Sequence, residues 1–237
     1  MYLSRMTLNP VRRGTRRLVG DPQAMHAAVM SLFPPGMAES DNGEGRVLWR
    51  LDRDESQLCL YVASPERPSF EVMQEQAGWS AHPTDVTRSY EPLLDRLTVG
   101  QEYAFRLTAN PVHTVTDDHG RKRRFGHVTV AQQEGWFLEK CPSIGIQVRS
   151  GVTPDSPWND LIVRERGIVQ FRRGNGIVTL SRATYEGSCR VVDPALLRGA
   201  LCRGVGRAKG YGCGLLTLAD RRNGDAADSG RSSQPGA

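Results

Sequence analysis

The 237-residue sequence predicts an α+β fold of two similar units, each with a ferredoxin-like β-α-β-β outline. Three observations predict it. Short segments of alternating apolar and polar residues recur along the chain as strands. Two Asp-Pro dipeptides, Asp21-Pro22 and Asp193-Pro194, each supply an N-cap and a first-turn proline to a helical stretch. The length divides into two spans of about 100 residues, a typical domain size.

In chain order, residues 1–8 alternate and read as a strand. Arg12, Arg13, Arg16 and Arg17 follow as a basic loop. The first Asp-Pro opens a helix to about Phe33, stopped by Pro34-Pro35, with Met25, Ala28, Val29 and Leu32 as its apolar stripe and His26 at the stripe's edge. Residues 41–45 form a polar linker. Residues 46–51 and 58–63 are strands about a polar turn at 52–57, residues 70–77 a short helix and residues 83–89 a fourth strand. The second unit opens with a strand at 101–109 and a polar loop at 111–127 holding Arg121, Lys122, Arg123 and Arg124. Thr129 caps a helix to about Lys140, and residues 144–149 are a strand. A hairpin pairs 167–173 with 177–185 about Gly174-Asn175-Gly176. The second Asp-Pro helix, with Leu196, Leu197, Ala200 and Leu201, runs to about Arg203, and the strand 215–219 closes the unit. The domains are therefore 1–90 and 91–219. The tail 220–237 lacks apolar residues to bury and is expected to be disordered.

Composition bounds the function. No uncharged apolar run approaches the roughly 18–20 residues that span a bilayer, so no membrane partner is expected. The N-terminus lacks a signal peptide's apolar stretch. Cys59, Cys141, Cys189, Cys202 and Cys213 are odd in number and without CxxC spacing, which fits small buried hydrophobes in a reducing cytoplasm. No metal-ligand spacing and no nucleotide-binding or serine-hydrolase motif occurs, so neither a metal nor a small-molecule cofactor is expected. The formal net charge is +5, and Lys122, Lys140 and Lys209 are the only lysines beside 28 arginines. Arginine binds phosphates bidentately and stacks on bases, so an anionic partner is favoured, although a GC-rich genome enriches arginine equally well.

The most specific segment carries five glycines, Gly204, Gly206, Gly210, Gly212 and Gly214, with Arg207 and Lys209 among them. It follows a helix and precedes a strand, the reverse of a Rossmann loop or P-loop. Two readings stand: the glycines let backbone approach an RNA phosphate beside Arg207 and Lys209, or they make a tight connection packed between two domains.

Val192-Asp193-Pro194, the run Leu197 to Leu201, and GVGRAKGYGCGLLTLA resemble the C-terminal signature of the CasE family, the CRISPR repeat-RNA endoribonucleases of type I-E systems. MYLSRMTLNP, the arginine-rich stretch, Asp21-Pro22-x-x-Met25-His26 and Val47-Leu48-Trp49-Arg50-Leu51 resemble it as well, so the likeness spans about residues 1–219. It implies two tandem ferredoxin-like (RRM-like) domains with antiparallel sheets. It also implies metal-independent cleavage of precursor CRISPR RNA at the 3′ base of a repeat stem-loop, retention of the product, and assembly with the other subunits of the Cascade complex.

The same resemblance makes His26 the catalytic histidine, as base, acid or both. Some relatives carry a tyrosine three residues earlier. Here that position is Gln23, which cannot move a proton, so another tyrosine would have to come from elsewhere in the fold. Arg172 and Arg173 match a basic pair of some relatives and are expected to grip the stem or the scissile phosphate. Arg12, Arg13, Arg16 and Arg17 are expected to track stem phosphates. Tyr2 and Tyr211 are candidates for base stacking, whereas Trp49 and Phe171 read as core. The alternatives are a non-catalytic RNA-binding scaffold of the same superfamily and a small-molecule enzyme on the same scaffold.

Overall fold

The computed structural model describes residues 1–35, 45–54, 57–148 and 161–220. Most of the expected linker, the tip of the turn at 52–57, Arg149 and the tail beyond Asp220 lie outside the described residues.

The first sheet contains β1 (Tyr2–Leu8), β2 (Leu48–Arg53), β3 (Leu58–Ser64) and β4 (Asp85–Ser89) in the order β2-β3-β1-β4, with every pair antiparallel. Alternation on β1 turns Met6 and Leu8 inward, where they meet Met25 and Val29 of α2 (Pro22–Met30) and Met73 of α3 (Glu71–Ala77). Asp21 caps α2 as expected: its side chain accepts from the Gln23 amide, and Pro22 occupies the first turn.

The second sheet is ordered β11-β5-β10-β8, with β9 on the same edge of β10 as β8. Its strands are β5 (Glu102–Ala109), β8 (Ile146–Gln147), β9 (Leu161–Arg173), β10 (Gly176–Val191) and β11 (Leu216–Asp220). The short helix α4 (Glu91–Asp95) leads into it, and α5 (Val130–Lys140) and α6 (Pro194–Arg203) pack on it. Phe137 lies between Phe105 and Tyr185, with ring centroids 5.2 and 4.8 Å away. Thr129 closes α5 with a full capping box to Gln132, and Asp193 caps α6. The tandem ferredoxin-like architecture is thus present, and all five cysteines are buried and unpaired.

Three expectations are corrected. The arginines expected in a loop lie on or beside a helix, α1 (Arg13–Gly20). Thr15 and Leu18 turn inward and the arginines outward, an amphipathic pattern only eight residues long, and its N-cap makes no side-chain bond to mark the start. The loop at 111–127 is a hairpin of β6 (Val112–Thr116) and β7 (Lys122–Gly126), with neither strand burying a face. The hairpin expected at 167–185 is far longer. β9 and β10 pair from Leu161↔Gly187 to Arg173↔Gly176, leaving a two-residue turn, and residues 176–182 of β10 project past the end of β5.

One buried arginine joins the sheets. Arg50 of β2 is 2% exposed. It binds Asp52 with two nitrogens, at 2.6 and 2.9 Å, and donates to the Arg106 and Leu215 carbonyls and the Thr217 hydroxyl of the second sheet. Breaking such a pair leaves buried charge and carbonyls uncompensated. Arg50→Met should therefore lower the unfolding free energy by about 3–5 kcal/mol in chemical denaturation. The exposed Arg53→Ala should stay within about 0.5 kcal/mol of wild type, and equal losses in the two variants would remove Arg50 from this role.

Candidate active site

His26 sits on α2 between the two sheets. Its ring faces the 3₁₀ turn Lys209–Tyr211 inside the glycine-rich segment, and the Tyr211 ring stands edge-on to it at 6.1 Å. The tip of the long hairpin supplies the third wall. Phe171 of β9 packs on Tyr211 at 4.6 Å, and strand alternation sends Arg173 to the same face and Arg172 to the other.

The glycine-rich segment is a tight connection packed against the first sheet. Trp49 of β2 donates its indole N–H to the Gly210 carbonyl at 3.2 Å. Gly212 has φ +76°, and a Cβ there would lie 2.7 Å from the Trp49 ring. At Gly210 a Cβ would meet the His26 ring at an ordinary 3.5 Å. The loop thus holds its backbone against both Trp49 and His26, which fixes where the imidazole stands.

The other three glycines of the segment pack closely on protein as well. A Cβ at Gly204 would meet the Leu48 side chain at 2.7 Å, and one at Gly214 the Val205 carbonyl at 2.8 Å. Gly206 lies against α5, where a Cβ would stand 3.3 Å from the Trp136 ring. The bare Cα at Gly206 therefore admits an indole of the second unit, and no contact links Gly206 to His26. Close packing at these three positions supports the reading of a tight connection packed between the two units.

The electrostatics are those of a neutral base among cations. Burial first, then the charges of Arg173 and Arg46, hold the His26 pKa below its ordinary value of 6.5. Its Nδ1 is buried without a hydrogen-bond partner, and so is Oε1 of Gln23, one turn earlier on the same helix. Buried polar atoms are normally paired, and these two are exceptions on one helix face.

The structure brings together His26, Arg173, Lys209 and Gly210 from the expected set. Arg207 turns away and, with Tyr211, Arg124 and Phe125, lines a separate depression of about 480 Å³. Arg13, Arg16 and Arg17 are exposed on α1, next to the start of α2. Arg12 is committed to the fold, donating to the Glu75 carbonyl and the Ser80 hydroxyl. Trp49 and Phe171 are buried as expected, and Tyr2 is half-buried on β1. Sequence reasoning missed Arg46, a lone cation before β2 with no local signal. It also placed Tyr211 with the stacking aromatics rather than beside the histidine.

Tandem ferredoxin-like units joined at a histidine and a glycine-rich loop define a class of two-unit α+β protein, and comparison with known proteins narrows it. Residues 1–220 match the family model for CRISPR associated protein, so the chain belongs to that family. It is 27% identical over 225 residues to the CRISPR-associated endoribonuclease Cse3 of Thermus thermophilus, covering 92% of this chain and 100% of that one. It is 31% identical over 134 residues to the CRISPR system Cascade subunit CasE of Escherichia coli, covering 52% of this chain and 61% of that one. The solved structure of Thermus thermophilus Cse3 bound to an RNA representing a pre-cleavage complex matches with a TM-score of 0.73 at 26% identity, covering 92% of this chain and 98% of that one.

Titration of the free protein by NMR should place the His26 midpoint below 6.5. Arg173→Ala should raise that midpoint by removing a like charge; an unchanged midpoint would separate the two residues electrostatically. Gly212→Ala should destabilise the fold in thermal denaturation, by strain and by the clash with Trp49, whereas Gly210→Ala should melt close to wild type.

Proposed function

We propose that the protein is a metal-independent endoribonuclease that cuts precursor CRISPR RNA at the 3′ base of the repeat stem-loop. It keeps the product and joins the other subunits of a type I-E Cascade complex in the cytoplasm, with no small-molecule cofactor. The carrying observation is His26: a depressed pKa, an unpartnered Nδ1 and a cationic surround, in a chain aligned end to end with an endoribonuclease. The reading also divides the chain into a histidine-bearing domain at 1–90 and a domain at 91–219 carrying the basic hairpin and the glycine-rich loop.

RNA carries its own nucleophile. In this reading the neutral His26 imidazole takes the proton of the 2′-OH, and the 2′-oxygen attacks the adjacent phosphorus. The bond to the 5′-oxygen breaks, and that oxygen takes a proton. The products are a 2′,3′-cyclic phosphate and a 5′-OH. Arg173 faces the same space and stabilises charge on the phosphoryl oxygens. Gln23 has no proton to trade, and Tyr211 is the phenol that stands beside the imidazole, its hydroxyl donating to the phosphate in this scheme. The exposed Arg13, Arg16, Arg17, Arg172 and Arg207 contact phosphates along the stem, whose A-form major groove hides its base edges.

Incubation with a repeat hairpin in EDTA should release a cyclic phosphate end and a 5′-OH end, and His26→Ala should cut about 10²–10⁴-fold more slowly. Tight binding without cutting at any pH would instead establish an RNA-binding scaffold. The acid limb of kcat/KM should fall below pH 6.5, because His26 must be neutral to act as base and its pKa is lowered. Tyr211→Phe keeps the ring contacts and removes the hydroxyl. It should slow cleavage by at least about tenfold, the lower end for a lost transition-state donor, and an unchanged rate would reduce Tyr211 to packing.

A further inference from the structure

A second cationic depression adjoins the site. It encloses about 310 Å³ between α6 and the turn before β8, and Arg46, Arg203 and Lys209 line it with Ser143, Gly199 and Gly204. Lys209 opens the 3₁₀ turn that faces His26, and the Arg46 charge acts on that imidazole, so the depression and the candidate active site share a border. Its lining includes no Asp or Glu among the described residues, and neither Arg46 nor Arg203 forms an ion pair with a described residue. The charged groups of the wall are all cations, set among small and apolar residues that include Ile144, Leu196 and Ala200, and among the described residues no carboxylate pairs with either guanidinium.

The lining also excludes one kind of ligand. It offers no aromatic face to stack a base and no side-chain amide to read a base edge. Charge without a reading surface suits a backbone phosphate, bound without regard to sequence. The turn at Lys209–Tyr211 divides the surface. Tyr211, Arg207 and Arg124 border one depression, with β9 and β10 in its wall, and Lys209 borders the other. The hairpin tip meets Tyr211 through Phe171, and Arg173 lies beside His26, so a strand leaving the foot of a stem held by the hairpin reaches the second depression across His26.

We infer that the depression at Arg46, Arg203 and Lys209 holds a backbone phosphate of the single-stranded RNA just 3′ of the scissile bond. This rests on the nuclease reading for the direction of the strand. It makes the downstream RNA, as well as the stem, part of what the enzyme grips, and it aligns the leaving 5′-oxygen by anchoring the nucleotide attached to it.

The test is binding of repeat hairpins carrying a deoxyribose at the scissile position, which removes the nucleophile. One hairpin ends directly after the scissile phosphate, one has a short uridine tail on its 3′ side, and one has the tail on its 5′ side. The 3′ tail should raise the affinity of the full chain about tenfold, as expected for charge-assisted contacts. It should also steepen the dependence of log affinity on log salt by about 0.7 for each phosphate held. Arg203→Ala should lose both gains while binding the untailed hairpin as wild type does, and Arg203→Lys should keep part of them. A 3′ tail without effect, an equal gain from the 5′ tail, or equal weakening of all three RNAs by Arg203→Ala overturns the proposal. None of these RNAs can be cut, so the outcomes stand apart from the nuclease reading, which fails on its own if an unmodified hairpin survives in EDTA.

Discussion

The arrangement of the molecule depends on the Arg50 guanidinium. Its five N–H donors are all engaged: two on Asp52, one each on the Arg106 and Leu215 carbonyls, and one on the Thr217 hydroxyl. Its face lies 5.4 Å from the Tyr61 ring centroid. A buried charge is tolerable only when this fully satisfied. The acceptors belong to both sheets, so the complete set exists only when β2 lies against β5 and the start of β11. Asp52 serves Arg106 as well, at 3.6 Å, which ties the junction to the Glu165 and Glu186 carboxylates on β9 and β10.

That junction matters because the neighbouring residue on β2 faces the other way. Arg50 reaches the second sheet, while Trp49 holds the Gly210 carbonyl and fills the space a side chain at Gly212 would occupy. One strand thus sets both the angle between the sheets and the position of the glycine-rich segment. The segment in turn sets Gly210 and Tyr211 against His26. The glycines act mainly through packing, and the positive charge comes from side chains carried by the loop and its neighbours.

Local physics decided what was readable beforehand. The two Asp-Pro starts, the Thr129 cap and the alternation of β1 and β5 require only neighbours in sequence, and each element lies within a few residues of its expected place. The amphipathic pattern of α1 is only eight residues long, carries four arginines on or beside it and has no cap, and the β6–β7 hairpin buries no face, so their residues read as loops. The extra length of β9 and β10 comes from pairing with each other rather than from a hydrophobic face. At the site, His26 was singled out through a resemblance at its own position. Tyr211 and Arg46 join it only through the junction of the sheets, a contact across the whole chain that no local pattern encodes. The glycine spacing was legible in the same limited way: it marked close approach at Gly206 and Gly212, and only the fold shows that indole rings make that approach.

The electrostatics of His26 suit an anionic substrate that gains charge as it reacts. Before binding, burial and two guanidinium groups disfavour the imidazolium, so the ring is a free base at neutral pH. A phosphate entering the same space reverses the balance, because its charge offsets the arginines and favours the protonated ring. In the proposed reaction, negative charge grows on the phosphoryl oxygens as the 2′-oxygen attacks and the proton arrives on His26, and each change stabilises the other. The arginines thus lower the proton affinity of the empty site and stabilise the occupied one. An isolated histidine on a solvated helix would have neither the neutral resting state nor the stabilised product of proton transfer. The fold supplies both by setting α2 against the cations of β9 and of the segment before β2.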